Sequence, residues 1–346
     1  LTHGNVYAWQ ADAMNGRTVL GALALIVIGL LTWELRWVLL VLFGAVVLAV
    51  ALDVPITLLR RLLPLNRPAA LIVVLVSLVL LGGALGQLLL PELLEQIKQL
   101  TTLLPVLALR LSSLARQVDW LPDLEQQLMA LGTWERLQPL GGQLLGLAGG
   151  AANTTIQMLL MALLAILLGL DPRSHQKVIV SLTPSFWRPQ MQHLLSESRQ
   201  ALGGWLAGMT LSAVSVFLLT WAGLALLGVP LALLSALVCG LLTFVPTIGP
   251  TAATLLPLAV GLLVSPAKML QVLVLRLILQ NAEAFLLTPV LLRRTVNLLP
   301  TVALTAQLCL GALLGLPGVL LALPLVVVLQ VIFEEVLVKE VMDHWN

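Results

Sequence analysis

Between Ala201 and Gln330 the chain carries only five charged residues: Lys268, Arg276, Glu283, Arg293 and Arg294. A stretch of that length cannot cover itself with water-facing charge, because soluble domains carry about 25% charged residues. The whole chain has 10% charged and 60% hydrophobic residues, with a mean hydropathy of +1.05. Several apolar runs approach or pass 18 residues, the length that crosses a hydrocarbon layer of about 30 Å. These features exclude a large soluble domain. In lipid every backbone polar group needs an internal partner, and helices supply it. The chain therefore reads as an all-α polytopic integral membrane protein seated in a lipid bilayer.

Apolar runs at 18–33, 35–52, 68–90, 151–170, 202–227 and 266–289 predict six full spans. Residues 1–17 form a polar N-terminal segment, and 18–90 hold spans one to three. No cleavage pattern follows the N-terminal segment, so a removed signal peptide is not expected. Residues 91–149 are amphipathic, beginning with PELLEQIKQL, where Leu93, Leu94, Ile97 and Leu100 share a helical face. Residues 150–228 hold spans four and five around an amphipathic, basic connector at 171–200. A core follows at 229–333, then a tail at 334–346.

Two runs in that core, 231–264 and 300–333, are too long for one span and short for two. Each is about 34 residues, or roughly 50 Å as a continuous helix. FVPTIGP interrupts the first at 244–250, and GLPG interrupts the second at 315–318. Proline and glycine break the helical ladder there. Two hairpins follow, each entering the membrane and leaving by the same side. The alternative is that each run forms two full tilted spans, giving eight or more. Charge favours hairpins. With both termini cytoplasmic, Arg60, Arg61, Arg67, Arg173, Lys177, Arg188, Arg199, Arg293 and Arg294 all lie inside, as positive residues prefer. The first hairpin then enters from outside and the second from the cytoplasm.

The span 266–289 is the least lipid-like. Arg276, Gln280 and Glu283 stand at i, i+4 and i+7 on one helical face, with Asn281 beside them and Thr288 beyond. Ionisable groups at membrane depth are costly unless they face a partner or water. The face is either an Arg276–Glu283 ion pair that fixes packing or the lining of a solute or ion route. Broken helix tips are the natural counterpart, since they free carbonyls and N–H groups. The first tip offers Thr243, Pro246, Thr247, Gly249 and Pro250, and the second offers Gly315 and Gly318. The ligand expected there is a small polar solute or a monovalent cation. No phosphate loop, metal pattern or nucleophile elbow is present, so neither an enzyme nor a cofactor is indicated. His175 and His193 read as wetted surface residues. The two cysteines, Cys239 and Cys309, lie in apolar runs, and no basic stripe suggests nucleic acid. A membrane scaffold using 91–149 or the tail is the remaining alternative.

Three motifs carry a resemblance: FVPTIGP at 244–250, QNAEAFLLTP at 280–289 with Pro300, and GALLGLPGVLLALPL at 311–325. Together they resemble the AI-2E family, the autoinducer-2 exporter-like permeases. The resemblance implies a secondary transporter of the bacterial inner membrane, forming homo-oligomers, with pentamers as one arrangement. It implies export of an autoinducer-2-like signal or exchange of sodium or lithium for protons. Three positions depart from the family pattern: Ala284-Phe285 replaces Gly-Asn, Thr247 replaces Asn or Tyr, and Arg276 replaces an apolar residue.

Overall fold

The structure, a computed structural model, describes residues 29–115, 152–245, 248–287 and 299–336, together with Leu23 and Val27. Every regular element among them is helical. In chain order these are α1 (Arg36–Leu62), α2 (Arg67–Ala115), α3 (Ala152–Leu170), α4 (Pro172–Leu182), a 3₁₀ turn (Ser185–Trp187) and α5 (Arg188–Leu226). Then come α6 (Ala232–Leu242), α7 (Ile248–Val264), α8 (Pro266–Ala282) with a π turn (Glu283–Leu287), and α9 (Pro300–Ile332). Local chemistry sets several starts. Asp171 accepts the Ser174 N–H at 3.2 Å, and Ser265 accepts the Lys268 N–H at 3.0 Å. Each cap is followed by a proline at the first helical position, where its missing N–H costs nothing.

Four stretches are long and apolar enough to cross a membrane: Arg36–Leu62, Arg67–Leu107, Ser185–Leu226 and Pro317–Val336. The segments Ile156–Leu170 and Pro172–Leu182, bent by 88° at Asp171, make a fifth if counted as one span. Six were expected from the sequence. The run 18–33 lies mostly outside the described residues, and α8 has only 17 residues before its π turn.

Helix α2 passes through Pro91 and Pro105 without ending. A proline removes one ladder bond, and tertiary burial on both sides can carry the helix across. Here Leu93, Leu100 and Leu103 pack on Leu231, Leu234 and Val260. The buried face is thus not the expected one, since Leu94 and Ile97 are exposed. Gln96 is buried in their place. It donates to Glu92 Oε1 at 2.7 Å and accepts the Leu234 N–H at 2.8 Å, capping the start of α6. Similarly, the connector at 188–200 and the span after it form one helix, α5.

Both long runs fold back on themselves. In the first hairpin, Cys239 Sγ lies 3.4 Å from Ala253 O. A continuous helix would separate these residues by about 21 Å. Pro257 has no N–H for Ala253 O, and the thiol takes that vacant carbonyl. A Cβ on Gly249 would overlap the Leu242 carbonyl, so the arms meet this closely only because residue 249 is glycine. In α9 the break is Gly315, with φ 66° and ψ −149°, a backbone that other residues rarely adopt. Beyond it, Gly318 lies against the Leu310 carbonyl, and a Cβ on Gly311 would sit 2.8 Å from Val319 Cγ2.

The hairpin bases sit at opposite ends of α5. At its N-terminal end, Asp53 joins Arg67 at 2.6 Å and also pairs with Arg199. Arg67 Nε donates to Gly169 O at 2.9 Å, so α1, α2, α3 and α5 meet there. His193 contacts Glu335 at 3.5 Å, bringing the base of the second hairpin to this end. At the C-terminal end, Lys268 Nζ donates to Leu227 O at 2.6 Å and Arg110 to Leu262 O at 2.8 Å, holding the base of the first hairpin.

Candidate functional site

In the C-terminal part of α5, three elements converge on one guanidinium. Arg276 of α8 is 2% exposed. Its Nη1 donates to Thr220 Oγ1 of α5 at 3.1 Å, its Nε to Thr254 Oγ1 of α7 at 3.3 Å, and its Nη2 to Pro250 O at 3.4 Å. Gln280, one turn on, donates to Pro250 O at 2.9 Å and lies 3.3 Å from Thr254 Oγ1. The Thr254 hydroxyl donates to Pro250 O at 2.8 Å. The tip carbonyl of the first hairpin is therefore the focus of a polar cluster inside apolar walls.

Glu283 opens the π turn, one turn past Gln280. Ser212 of α5 donates its hydroxyl to Glu283 Oε1 at 2.8 Å. π turns recur at functional positions because they widen the helix and re-aim a side chain. Ser212, Val216 and Thr220 form one buried stripe of α5 facing α8 and the first hairpin. All three guanidinium nitrogens of Arg276 point to neutral oxygens. Among the described residues the salt bridges within 4.0 Å are those of Asp53 and His193, so Arg276 and Glu283 do not form the direct ion pair that packing alone would ask for.

The remaining sequence-derived candidates divide. Thr243 is buried and donates to Cys239 O at 3.0 Å, securing the end of α6. Gly249 forms the close contact at the tip. Asn281 is exposed and donates to Leu277 O of its own helix at 2.7 Å, so it stands apart from the cluster. Gly315 and Gly318 shape the bend of the second hairpin. Pro246, Thr247 and Thr288 lie outside the described residues. The two hairpins meet through Phe244, which packs on the cluster formed by Val47, Leu202, Trp205, Met209, Ala303, Leu323 and Val327.

Sequence reasoning missed Ser212, Thr220 and Thr254. Each is one of several hydroxyls in an apolar helix, where the usual partner is a carbonyl one turn back, so spacing does not single it out. It also missed Gln307, a buried amide of the second hairpin with no hydrogen-bond partner at either end.

Comparison with known proteins places the chain among transporters. It is 26% identical over 277 residues to YrrI of Bacillus subtilis (strain 168), covering 75% of this chain and 76% of that protein. It is 22% identical over 196 residues to YueF of the same organism, covering 57% and 53%. A 106-residue stretch is 40% identical to MT0215 of Mycobacterium tuberculosis (strain CDC 1551 / Oshkosh), covering 30% and 29%. All three carry transport-protein names. The description "AI-2E family transporter" matches residues 20–338, nearly the whole chain, and the protein belongs to that family.

Proposed function

We propose that the protein is a secondary transporter that moves a small polar solute across the bacterial inner membrane, with α8 and the two hairpins as its core. An autoinducer-2-like signal is one such solute, and export is the proposed direction. The observation that carries the reading is the Pro250 carbonyl. The broken tip of the first hairpin presents it to Arg276, Gln280 and Thr254 inside the helical bundle. Ionisable and amide groups gathered inside a membrane bundle mark solute routes. The N-terminal end of α5, where Arg199 and Arg67 of α2 meet on Asp53, is assigned to the cytoplasm, with Arg60 and Arg61 nearby at the end of α1, following the preference of positive residues. Both termini are cytoplasmic on that assignment. Homo-oligomers, pentamers among them, are proposed by family membership alone.

Exchange of sodium or lithium for protons is the second reading, and one contact favours it. Glu283 takes its hydroxyl partner from Ser212, with the Arg276 guanidinium engaged elsewhere. A carboxylate set beside a hydroxyl in an apolar helical bundle is the ligand type that proton and monovalent-cation routes through membranes use. The deciding experiment uses purified protein in vesicles, screened for release of small polar solutes and, separately, for proton movement driven by sodium or lithium. Solute flux without ion-driven proton movement supports the first reading, and the reverse supports the second. Absence of both overturns the transport assignment.

A further inference from the structure

Gln307 stands in the first arm of α9, and it is 5% exposed. Neither Nε2 nor Oε1 has a hydrogen-bond partner. A buried amide left open at both ends is costly, and native proteins keep such groups chiefly where something else completes them. Its setting is defined by the hairpin register. Gly311 faces Val319, so Gln307, one turn lower on the same stripe, lies level with Ala322 and Leu323, which are 0% and 1% exposed. One turn lower again, Ala303 joins Leu323, Met209 and the tip residue Phe244 in a single cluster. Met209 is three residues before Ser212, the partner of Glu283. The open amide thus lies within a turn or two of the place where both hairpins and α5 meet.

We propose that Gln307 is a solute-binding residue, contributed by the second hairpin to the route whose other wall carries Glu283 and Ser212. The inference rests on the transport reading and adds the ligand's chemistry. A carboxamide offers an acceptor and a two-hydrogen donor on one carbon. A monovalent cation satisfies only Oε1 and leaves Nε2 bare, and an anion does the reverse. A hydroxyl or amide group both donates and accepts, so it satisfies the two together. The solute class is therefore a small neutral molecule bearing hydroxyl or amide groups. Specificity of this kind follows from the cost of leaving the site's own polar atoms unpaired.

Two variants test this. Gln307→Leu removes the open amide while keeping its approximate volume. A binding residue predicts an unfolding midpoint in detergent equal to the parent or a few degrees higher. A fall in the midpoint would show that the amide has a structural role and overturn the proposal. Gln307→Cys, in a chain with Cys239 and Cys309 replaced by serine, is then exposed in vesicles to the small thiol reagent 2-aminoethyl methanethiosulfonate. Labelling is expected, slowed severalfold by glycerol or ribose and not by sodium chloride of equal osmolality. No labelling, no protection by either sugar alcohol or sugar, or protection by sodium chloride alone overturns the proposal. The two readings fail separately. Labelling with protection but no solute flux would sink transport and leave the site. Solute flux with an unlabelled residue 307 would sink this inference alone.

Discussion

Arg276 and Glu283 are seven residues apart, about 10 Å along the helix axis. The structure gives the two different partners, with Thr220, Thr254 and Pro250 O on Arg276 and Ser212 among those of Glu283. Two unit charges about 10 Å apart attract by about 1.7 kcal/mol at an effective dielectric of about 20. A direct buried pair behaves differently, since removing one partner costs about 3–5 kcal/mol. The combination of Glu283→Gln and Arg276→Met separates the cases. Glu283→Gln keeps an oxygen for the Ser212 hydroxyl, so its cost should be about 1 kcal/mol. Arg276→Met strips Thr220 of its guanidinium donor, while Pro250 O and Thr254 keep Gln280. The cost of about 1–3 kcal/mol for these lost bonds is offset by no longer burying a cation. The coupling energy from the double cycle should stay below about 2 kcal/mol. Denaturant unfolding in detergent, followed by tryptophan fluorescence, measures it on the four proteins. A coupling above about 3 kcal/mol, with the double variant regaining the stability lost by Glu283→Gln, would refute the geometry and return the pair to a packing role. Under the proposed function, Glu283→Gln folds and loses or uncouples flux, and Arg276→Met does not restore it.

The glycines give a graded series. Gly249→Ala and Gly318→Ala each push a Cβ into a backbone carbonyl, of Leu242 and Leu310, and should destabilise by about 1–3 kcal/mol. Gly315→Ala meets no atom within 4 Å but inherits a positive φ, and a similar loss of about 1–3 kcal/mol is expected from strain alone. Gly82→Ala, in an open part of α2, should stabilise by about 0.5–1 kcal/mol; unfolding midpoints across the four variants check the order. Gln96→Ala leaves the buried Leu234 N–H without its acceptor, at a cost of about 1–3 kcal/mol. Faster amide exchange at residue 234, with exchange in α1 unchanged, would register it.

The hairpin breaks were legible because length and punctuation coincide: a run of awkward length with proline and glycine at its middle has few ways to fold. The Arg276–Gln280 face was legible because 276, 280 and 283 fall within about 60° on a helical wheel, at about 100° per residue. Asn281 falls about 140° from Arg276 on the same wheel, which is why it points away. What sequence could not supply is whatever depends on a partner helix. Leu93, Leu94, Ile97 and Leu100 make a reasonable face by periodicity, but the first hairpin selects 93, 96, 100 and 103, and a glutamine is buried where an isoleucine was expected. Pro91 reads as a boundary by its local effect alone, whereas packing beyond it sustains α2. Gln307 shares its apolar run with Gln330, so sequence does not single it out, and its lack of partners exists only in the folded chain.

The ties of the two hairpins differ in kind, and this bears on which one moves. The first is held by directional bonds: Gln96 to Leu234 N–H, Arg110 to Leu262 O, and Arg276 and Gln280 to Pro250 O. Sliding it would break several buried hydrogen bonds at once, each costly to leave unmade. Above the His193–Glu335 contact at its base, the second packs on α1 and α5 through Val47, Leu202, Trp205, Met209, Leu323 and Val327, and dispersion contacts between apolar surfaces have no preferred register of comparable sharpness. It also bends at Gly315, a residue suited to large dihedral change. The second hairpin should therefore travel while the first stays with the frame. In a chain with Cys239 and Cys309 replaced by serine, Leu202→Cys with Val327→Cys, joined by a short bifunctional thiol reagent, should abolish flux. Gln96→Cys with Leu234→Cys, joined in the same way, should leave most of it. Flux surviving the first crosslink and lost on the second would assign the motion to the other hairpin.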